Sequence, residues 1–515
     1  MKLLKLLENS EIFDTTNIPD IEIGEIVTNS LKASEDSLFI CLEGLNEDGH
    51  KYIHDALMRG AAAVVMNKNT KFEPPQYAKK AIFIYCDDTR RAAAELYHCW
   101  YGKPSEKLKI IAVTGTNGKT SVTFMLKAIF EAALYKCGII GTVECKSGTR
   151  QLCAAPDDPL ANLTTPDPPE LYRTLAFMAA DGVDYVFIEA SSHALKLSKL
   201  DALTFDTAIF TNLTPEHLDF HNNMDDYRES KSKLFEKSRL ALINADDKSG
   251  EYMKSKCKGK TYTYSAKGNA ADFCAESVSV SNALCEKKTM SQSSFGINYT
   301  LNSKNTIMKI RSRLEGAFNI DNTLCAAACA ILHGISPPLI YGALMSLGEI
   351  NGRMERVKLP IEADFSVYVD YAHTPDALKN LLMSAKGLVK NNGRIVLLFG
   401  CGGDRDKTKR SAMAEVASEF SDVTIITSDN SRSEDRDKII KDILQGMRSD
   451  HRYLVIPDRK AAIEQAVLNA MPNDLILLAG KGHEKYEIDN SGKHPFDEAD
   501  IVIKAFEKKL GKVER

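Results

Sequence analysis

Short apolar runs alternate with helix-like stretches over the first hundred residues. The runs SLFICL at 37–42 and AAAVVM at 61–66 have the length of buried strands, whereas 52–59 and 90–100 have helical character. The next residues, YGKPS at 101–105, contain a Gly and a Pro that end the helix and predict a linker. The pattern predicts a small α/β unit.

A second region opens with a buried-type strand at 108–113, which leads into a glycine-rich turn and a helix. The apolar runs at 184–189 and 206–213 end in polar residues, as is typical of parallel strands covered on both faces. Residues 257–312 are rich in Ser, Thr, Asn and Lys with alternating apolar positions, which predicts an antiparallel insertion or sheet. Residues 316–334 predict a helix with many small side chains.

A third region repeats the alternation of strand and helix. Its apolar runs lie at 365–372, 393–400, 422–429 and 474–480. They alternate with helical stretches such as 410–420 and 436–447, which predicts a doubly wound open sheet. Such sheets bind ligands at the carboxyl ends of their strands. Those ends carry Asp370, Gly402 and Gly403, Asp429 and Asn430, and Gly480.

These patterns predict an α/β fold of three domains. At about 150 residues per domain, a chain of 515 residues accommodates three. We expect a small N-terminal α/β domain at 1–101, a central domain of P-loop type with a mostly parallel sheet at 102–345, and a Rossmann-like doubly wound C-terminal domain at 346–515.

Composition narrows the possible functions. The 66 basic and 70 acidic residues give a formal net charge of −4, so no global basic field attracts nucleic acid or anionic lipid. The N-terminal MKLLKLLENSEIF is too short for a signal-peptide core, and no run of about 18 apolar residues predicts a membrane span. The twelve Cys are scattered, which favours a reducing compartment, and we expect Cys257, Cys274 and Cys285 to be free thiols.

The sequence TGTNGKT at 114–120 predicts a phosphate-binding loop. It follows a strand and precedes a helix, the context in which backbone N–H groups and a helix N-terminus cradle phosphates. Gly115 and Gly118 permit the turn, Lys119 would pair with the β- and γ-phosphates, and Thr120 would offer its hydroxyl to Mg²⁺. Val113 stands where the general pattern has Gly, so the loop is a variant; the alternative is a glycine-rich turn without a ligand.

The loop and ten further segments, in order along nearly the whole chain, resemble the Mur ligases, which build the peptide of the bacterial cell wall. The segments are LTTPDPPEL at 163–171, EASSHAL at 189–195, FTNLTPEHLDFH at 210–221, YRESKSKLF at 227–235, GAFNIDN at 316–322, GRMERV at 352–357, VDYAHTPDAL at 369–378, GCGGDRDKTKR at 400–410, SDNSRSED at 428–435 and AGKGHE at 479–484. The nearest resemblance is to the members that add meso-diaminopimelate or L-lysine to UDP-N-acetylmuramoyl-L-alanyl-D-glutamate. It implies an ATP-dependent ligase that works through an acyl phosphate.

The resemblance also implies a catalytic and metal-binding set. Glu189 and His217 match magnesium ligands, Thr120 completes the set, and Lys231 matches a lysine that becomes carbamylated and holds a second Mg²⁺. The simpler alternatives are a structural role for His217 and a solvated Lys231 on a charged helix. Lys233 competes with Lys231, but the family's spacing to Leu-Phe selects Lys231.

The remaining implied contacts fall into three groups. For ATP they are Gly115, Thr116, Asn117, Gly118, Lys119, Thr120, Asn319, Arg353 and Asp370. For the UDP substrate they are Ser30, Thr164, Thr165, Ser191 and Lys199. Near Ser30, Asn29 and Leu31 depart from the family's Asp-Ser-Arg turn, the 44–50 segment resembles a uracil loop, and Lys199 replaces the usual Arg.

For the added amino acid the implied residues are Arg405, Asp429, Asn430, Arg432, Gly480 and Glu484. Diaminopimelate has a distal carboxylate and ammonium, which call for an Arg and an acid, whereas L-lysine lacks that carboxylate. The sequence Asp-Asn-Ser-Arg at 429–432 has Ser431 where the family has Pro, but Arg432 is retained, so we expect diaminopimelate, with L-lysine as the alternative.

Two other functions compete with this prediction. One is a folylpolyglutamate-synthetase-like ligase, against which the N-terminal domain and the 428–435 and 479–484 segments argue. The other is a nucleotide-binding regulatory protein that has lost catalysis, which the joint presence of Lys119, Glu189, His217 and Lys231 disfavours. We expect a cytoplasmic monomer that binds neither nucleic acid nor membrane.

Overall fold

The computed structural model describes residues 1–8, 10–13, 15–44, 47–152, 163–280, 296–389 and 392–513. Leu45 and Asn46 of the predicted uracil loop and Cys285 lie outside the described residues. Within them, no helix is long and apolar enough to cross a membrane. Cys257 and Cys274 are free thiols, as predicted, whereas Cys145 is disulfide-bonded.

The N-terminal part is a parallel sheet of order β1-β2-β3-β4 with helices packed on it. Its elements are α1 (Leu3–Leu7), β1 (Glu25–Val27), β2 (Ser37–Ile40), α2 (Ile53–Met58), β3 (Ala63–Asn67), β4 (Ile82–Cys86) and α3 (Thr89–Trp100). After α3, Gly102 and Lys103 adopt positive φ of 74° and 51°, which turns the chain at the predicted linker.

The central part is one large sheet. Its strands are β5 (Lys109–Thr114), β6 (Cys137–Ile140), β7 (Cys145–Ser147), β8 (Arg150–Gln151), β9 (Tyr185–Glu189), β10 (Phe205–Phe210), β11 (Ser238–Asn244), β12 (Lys260–Ser265), β13 (Phe273–Val280), β14 (Ile297–Ser303) and β15 (Thr306–Ser312). Its helices are α4 (Lys119–Ala132), α5 (Pro168–Ala180), α6 (Ser192–Lys196), α7 (Met224–Glu236), α8 (Gly250–Lys256), α9 (Phe318–Leu332) and α10 (Pro337–Ser346). The described strands follow the order β15-β14-β13-β12-β11-β10-β5-β9-β6-β7-β8.

Strand β5 shows why both faces of this sheet are apolar. Ile110 and Ala112 join the core on one face, and Ile111 and Val113 join the core on the other. The prediction of an antiparallel segment at 257–312 holds only from β13 onward. Strand β12 pairs in parallel with β11, because helix α8 carries the chain back across the sheet between them.

The third part is a sheet of order β16-β17-β21-β18-β19-β20, and β16 alone pairs antiparallel among its described strands. Its elements are β16 (Glu355–Arg356), β17 (Ser366–Asp370), α11 (Pro375–Leu388), β18 (Ile395–Phe399), α12 (Thr408–Phe420), β19 (Val423–Ile426), α13 (Arg436–Leu444), β20 (Tyr453–Val455), α14 (Arg459–Leu468), β21 (Leu475–Ala479), a hairpin of β22 (Tyr486–Asp489) and β23 (Gly492–Pro495), and α15 (Glu498–Val513). Helices α11 to α13 cover one face, and α14 and α15 cover the other. This is the doubly wound arrangement predicted from the sequence, and the α/β fold class is confirmed.

Candidate active site

A cavity of about 600 Å³ opens where the central sheet meets the third sheet. The phosphate loop, the end of β9 and the turn after β10 form one wall. Arg353, Asp370 and the start of α11 form the opposite wall. The carboxyl ends of strands from two sheets therefore face the same space, as open α/β sheets require of a ligand site.

The phosphate loop is built for close backbone approach. Gly115 and Gly118 have φ of 151° and 87°, which other residues rarely adopt. A side chain would also be obstructed: a Cβ on Gly115 would overlap the Thr211 hydroxyl, and one on Gly118 would lie 2.6 Å from Asn322 Oδ1. The amine of Lys119 donates to the carbonyls of Gly115 (2.9 Å) and Thr116 (2.7 Å).

Glu189 ends β9 beside this loop and is buried. It accepts a hydrogen bond from Thr120 Oγ1 at 3.0 Å and another from the Thr142 amide at 3.0 Å. The Thr120 hydroxyl in turn accepts from Arg353 Nη2 at 3.0 Å. One hydroxyl and one carboxylate thus lie together at the edge of the phosphate loop, the oxygen donors that Mg²⁺ prefers.

His217 and Lys231 both lie beside the loop with a lowered pKa. His217 has a positive φ of 57°, and burial lowers its pKa to about 3. Lys231 is buried in α7, where its amine donates to the Gly115 carbonyl at 2.9 Å. Burial, together with the nearby amine of Lys119, lowers the pKa of Lys231 well below its usual value. A lowered pKa favours the neutral form, in which an imidazole can ligate a metal and an amine can react with CO₂.

This donor set fits Mg²⁺ only in part. No group of three or more His, Cys, Asp or Glu side chains forms a ready metal cage within the described ranges. Mg²⁺ commonly takes one or two carboxylates and completes its shell with substrate phosphates and water. Glu189 and the Thr120 hydroxyl match that mode, the imidazole of His217 would add a nitrogen ligand, and a carbamate on Lys231 would add a second anionic ligand.

Three side-chain contacts join the third sheet's domain to the central one at this site. Besides the bond from Arg353 to Thr120, Asn117 Nδ2 donates to Asp376 Oδ2 at 3.0 Å. His373 Nε2 lies 2.9 Å from Glu216 Oε1. Burial alone would raise the pKa of Glu216, but the imidazoles of His217 and His373 and the amine of Lys119 hold it well below the usual range.

A second polar cluster lies at the ends of β19 and β21. Asn430 Nδ2 donates to Glu484 Oε2 at 2.8 Å, while its Oδ1 accepts from the buried Lys481 amine at 2.9 Å. Gly480 has a φ of 115° and packs so closely that a Cβ there would lie 2.6 Å from Asp429 Oδ2. Burial raises the pKa of the Glu484 carboxyl, and the neighbouring Asp429 raises it further.

Two arginines flank this cluster. Arg432 has a positive φ of 50°, and its Nη1 donates to the Gly403 carbonyl at 2.8 Å. Arg405 bonds to the Asp404 carbonyl at 3.1 Å. Burial lowers the pKa of Arg405, the positive charge of Arg432 lowers it further, and Asp219 of the central domain opposes the shift. The two guanidinium groups interact electrostatically, and such a pair of cations favours the binding of an anion.

The residues assigned to the UDP substrate lie in different parts of the molecule. Thr165 Oγ1 donates to the Glu189 carbonyl at 2.7 Å and contacts Ser191 Oγ at 3.2 Å, and Thr164 accepts from Thr142 at 3.0 Å. They therefore lie directly beside the end of β9. Lys199 pairs with Asp167 at 2.7 Å. Ser30 lies in the N-terminal domain, is buried and is not part of the cavity wall.

Comparison with known proteins agrees with this geometry. Residues 22–101 match the catalytic domain of the Mur ligase family, residues 113–330 match the Mur ligase middle domain, and residues 352–482 match the Mur ligase glutamate ligase domain. A UDP-N-acetylmuramoyl-L-alanyl-D-glutamate–2,6-diaminopimelate ligase of Clostridium botulinum is 40% identical over 97% of this chain and 98% of its own length. The chain belongs to the Mur ligase family. The resemblance inferred from its motifs is confirmed.

Solved Mur ligase structures share the fold. A structure of a UDP-N-acetylmuramoyl-L-alanyl-D-glutamate–2,6-diaminopimelate ligase is 30% identical and covers 95% of both chains with a TM-score of 0.64. A MurF ligase of Thermotoga maritima, solved in complex with ADP, is 14% identical, covers 95% of this chain and 98% of its own, and has a TM-score of 0.58. The second likeness, at this low identity, concerns the fold alone.

The structure brings many of the motif residues to the cavity, but it separates one predicted contact from it and adds others. Asn319, predicted to contact ATP, is buried and does not line the cavity; its amide bonds to the Glu315 carbonyl and to Asn322. Asn322, one helical turn later, faces the cavity. Sequence reasoning also assigned no role to Glu216, His373 or Asp376, although each lies in a quoted motif, because their partners are distant in the chain.

Proposed function

We propose that this chain is an ATP-dependent ligase that adds 2,6-diaminopimelate to the γ-carboxylate of the D-glutamate in UDP-N-acetylmuramoyl-L-alanyl-D-glutamate. The observation that carries the proposal is the identity of 40% over 97% of the chain with a ligase of that name. The product is a precursor of the cell-wall peptide. L-lysine in place of diaminopimelate is the alternative.

The reaction needs an activated carboxylate. Transfer of the γ-phosphoryl group from ATP gives an acyl phosphate and ADP, and the incoming amine then displaces phosphate to form the amide. Lys119 and the backbone of Gly115 to Thr120 hold the triphosphate, and Arg353 adds a cation from the third domain. Asp370 supports this arrangement by accepting from the Met354 and Ala372 amides at 2.7 Å each.

Magnesium would neutralise the crowded phosphate charges during this transfer. We assign Thr120, Glu189 and His217 to its binding, with Lys231 carbamylated as a ligand for a second ion. The assignment of Lys231 rests on a buried amine whose pKa is lowered well below the usual value and which lies 2.9 Å from the Gly115 carbonyl.

The second polar cluster supplies the amino-acid site. Arg405 and Arg432 would bind the distal carboxylate of diaminopimelate, and Glu484 with Asp429 would bind its ammonium group. Asn430 and the Gly480 backbone complete the contacts. L-lysine has no distal carboxylate, so it would leave the two guanidinium groups without their anion.

The nucleotide-sugar end of the substrate would extend from Thr164, Thr165 and Ser191 toward Ser30. Lys199 would contact a phosphate or carboxylate as a single cation, because it lacks the fork of an Arg. Because the substrates are ATP and a UDP-linked precursor, we place the enzyme in the cytoplasm. Because one chain supplies both walls of the cavity, we propose that it acts as a monomer.

An ADP-release assay tests this function. The purified chain is given ATP, Mg²⁺ and UDP-N-acetylmuramoyl-L-alanyl-D-glutamate, and then meso-diaminopimelate or L-lysine. We expect release that depends on the dipeptide nucleotide and is faster with diaminopimelate. Faster release with L-lysine selects the alternative amino acid. Release with folate and glutamate instead indicates the folylpolyglutamate-type ligase, and no release with any set of substrates indicates a non-catalytic nucleotide-binding protein.

A further inference from the structure

A buried ion pair lies directly beneath the proposed amino-acid site. Arg459 begins α14 and Glu498 begins α15, with Nε and Oε1 2.7 Å apart. Their side chains are 0% and 2% exposed. A buried ion pair has a desolvation penalty that its mutual attraction often fails to offset. A contribution to the free energy of unfolding therefore does not by itself account for this ion pair.

The other two nitrogens of the Arg459 guanidinium bind backbone carbonyls beside the proposed amino-acid site. Nη1 donates to the Ser428 carbonyl at 3.0 Å, and Nη2 donates to the Ala479 carbonyl at 2.9 Å. Ser428 immediately precedes Asp429, and Ala479 immediately precedes Gly480. One planar guanidinium thus holds the last carbonyl before each of the two segments that form the amino-acid site.

These two segments are not held together by strand pairing. Strand β18 lies between β19 and β21 in the sheet, so no ladder hydrogen bond joins β19 to β21. Their ends nevertheless touch, since Asp429 Oδ2 lies against Gly480. Arg459 spans β18 and joins the two ends directly.

Arg459 also affects the charge of the site. Burial would raise the pKa of Asp429, but the cations of Lys481 and Arg459 hold it below the ordinary value. The same side chain therefore fixes the spacing of the two segments and favours the anionic form of Asp429 between them.

We propose that Arg459, oriented by Glu498, is a positioning residue for the amino-acid substrate. It clamps the ends of β19 and β21 so that Asp429, Asn430 and Gly480 keep the geometry that binds the incoming amino acid. Arg459 and Glu498 do not line the cavity beside the phosphate loop, so we expect their loss to act on the amino acid alone. This inference rests on the proposed function.

The same sheet offers a matched control at its opposite edge. Arg394 and Asp474 precede β18 and β21, and they pair at 2.6 Å between Nη2 and Oδ2 and at 3.1 Å between Nε and Oδ1. This pair joins the amino ends of the strands, away from the site. A substitution there removes an Arg–carboxylate contact at the other end of the strands, where the Arg394 side chain is 31% exposed and Asp474 is 1% exposed.

The test compares Arg459→Lys with Arg394→Lys in the full chain. Lys keeps the charge but lacks the planar fork whose three nitrogens reach Glu498 and the carbonyls of Ser428 and Ala479. We expect Arg459→Lys to raise the KM for the amino acid about tenfold and to leave the KM values for ATP and the UDP substrate within about twofold of the parent. We expect Arg394→Lys to lower the unfolding temperature and leave all three KM values within about twofold.

Several outcomes would overturn the clamp. Equal KM values for the amino acid in the two variants, or an effect of Arg459→Lys on kcat and unfolding temperature only, would reduce Arg459 to a structural role. If Arg459→Lys does not fold, the test uses Glu498→Asp instead, because the shorter side chain should draw the guanidinium away from both carbonyls. The control for Glu498→Asp is Asp474→Glu. In that case an unchanged KM for the amino acid overturns the proposal.

The proposed function can fail separately. A parent chain that uses L-lysine keeps the clamp testable, with L-lysine as the varied substrate. A parent that releases ADP with neither amino acid refutes the proposed function, and the clamp is refuted with it.

Discussion

Lys231 shows how much the surroundings of a single residue matter for the proposed chemistry. A lysine amine is normally charged and does not react with CO₂. Here burial and the nearby Lys119 amine lower the pKa of Lys231 well below the usual value of a lysine. The alternative of a solvated lysine on a charged helix is wrong, because Lys231 is only 1% exposed.

Incubation with ¹³C-bicarbonate should therefore give a carbamate carbon signal in the NMR spectrum of the parent. Lys231→Arg, which cannot form the carbamate, should lose the signal and lower ligase activity by at least about 100-fold, since a ligand of the metal site is removed. Lys233→Arg, two residues away on the same helix, is the control and should keep both. A carbamate signal that persists in Lys231→Arg would assign the modification elsewhere.

Arg432 carries the prediction about which amino acid is added. Its replacement by Met should raise the KM for diaminopimelate by about 10- to 100-fold, because a charge-assisted contact to the distal carboxylate is lost. The KM for L-lysine, which has no distal carboxylate, should change little. Arg436→Met, at an exposed position at the start of α13, is the control. If both amino acids lose affinity equally, Arg432 does not read the distal carboxylate.

At the scale of elements, strand ends explain why the sequence could place several polar residues at the edges of the sheets. Buried parallel strands leave a clear apolar run in the sequence, and the polar residue after the run marks the functional edge of the sheet. Glu189 at the end of β9, Asp370 at the end of β17 and Asp429 after β19 follow this pattern. Local patterns were enough because each position depends on its own strand.

Helix faces were less predictable. Both Asn319 and Asn322 lie on α9, where most side chains are small or apolar. Periodicity therefore gave no polar face to mark the cavity side. Packing of α9 on the central sheet decides that Asn322 faces the cavity, while Asn319 bonds to the Glu315 carbonyl.

Helix α3 carries a prediction about pH. In its last turn, His98 Nε2 lies 2.8 Å from Ser105 Oγ, and the ring packs 5.5 Å from Tyr172 of α5. Burial lowers the pKa of His98 to about 4. The unfolded chain, with an ordinary His pKa of about 6.5, binds the proton more readily between these values. The contribution of His98 to stability is thus complete above pH ~6.5 and lost as the pH falls toward 4.

Unfolding temperatures at pH 7 and pH 5 would measure this contribution. The parent should lose stability between the two, and His98→Gln should lose less, because its side chain does not titrate. His494→Gln, at an exposed position, is the control and should follow the parent. An equal loss in His98→Gln and the parent would show that His98 does not contribute to the acid sensitivity.

At the scale of the whole molecule, the active site is an interface between domains. Arg353, His373 and Asp376 reach the phosphate-loop side from the third domain, to partners far away in the chain. The family motifs predicted that Arg353 and Asp370 would approach ATP. They did not reveal the pairing of His373 with Glu216 or of Asp376 with Asn117, because such pairing is set by the relative placement of two domains.

Arg353 should therefore link domain closure to nucleotide use. Its guanidinium donates to Thr120 and lies 4.7 Å from the Tyr371 ring centroid. Arg353→Lys loses the planar fork, and we expect kcat/KM for ATP to fall by about 100-fold with a smaller change in the KM for the UDP substrate. Arg356→Lys, on β16, is the control. An unchanged kcat/KM for ATP in Arg353→Lys would separate this contact from catalysis.

The central claim is that ATP activates the substrate carboxylate as an acyl phosphate. The most direct measurement follows ¹⁸O from the γ-carboxylate of UDP-N-acetylmuramoyl-L-alanyl-D-glutamate during one round of ligation, using the ³¹P NMR shift of the released phosphate. If both carboxylate oxygens are labelled, one ¹⁸O should appear in each phosphate and the other should remain in the new amide. Amide product formed together with unlabelled phosphate would contradict the account.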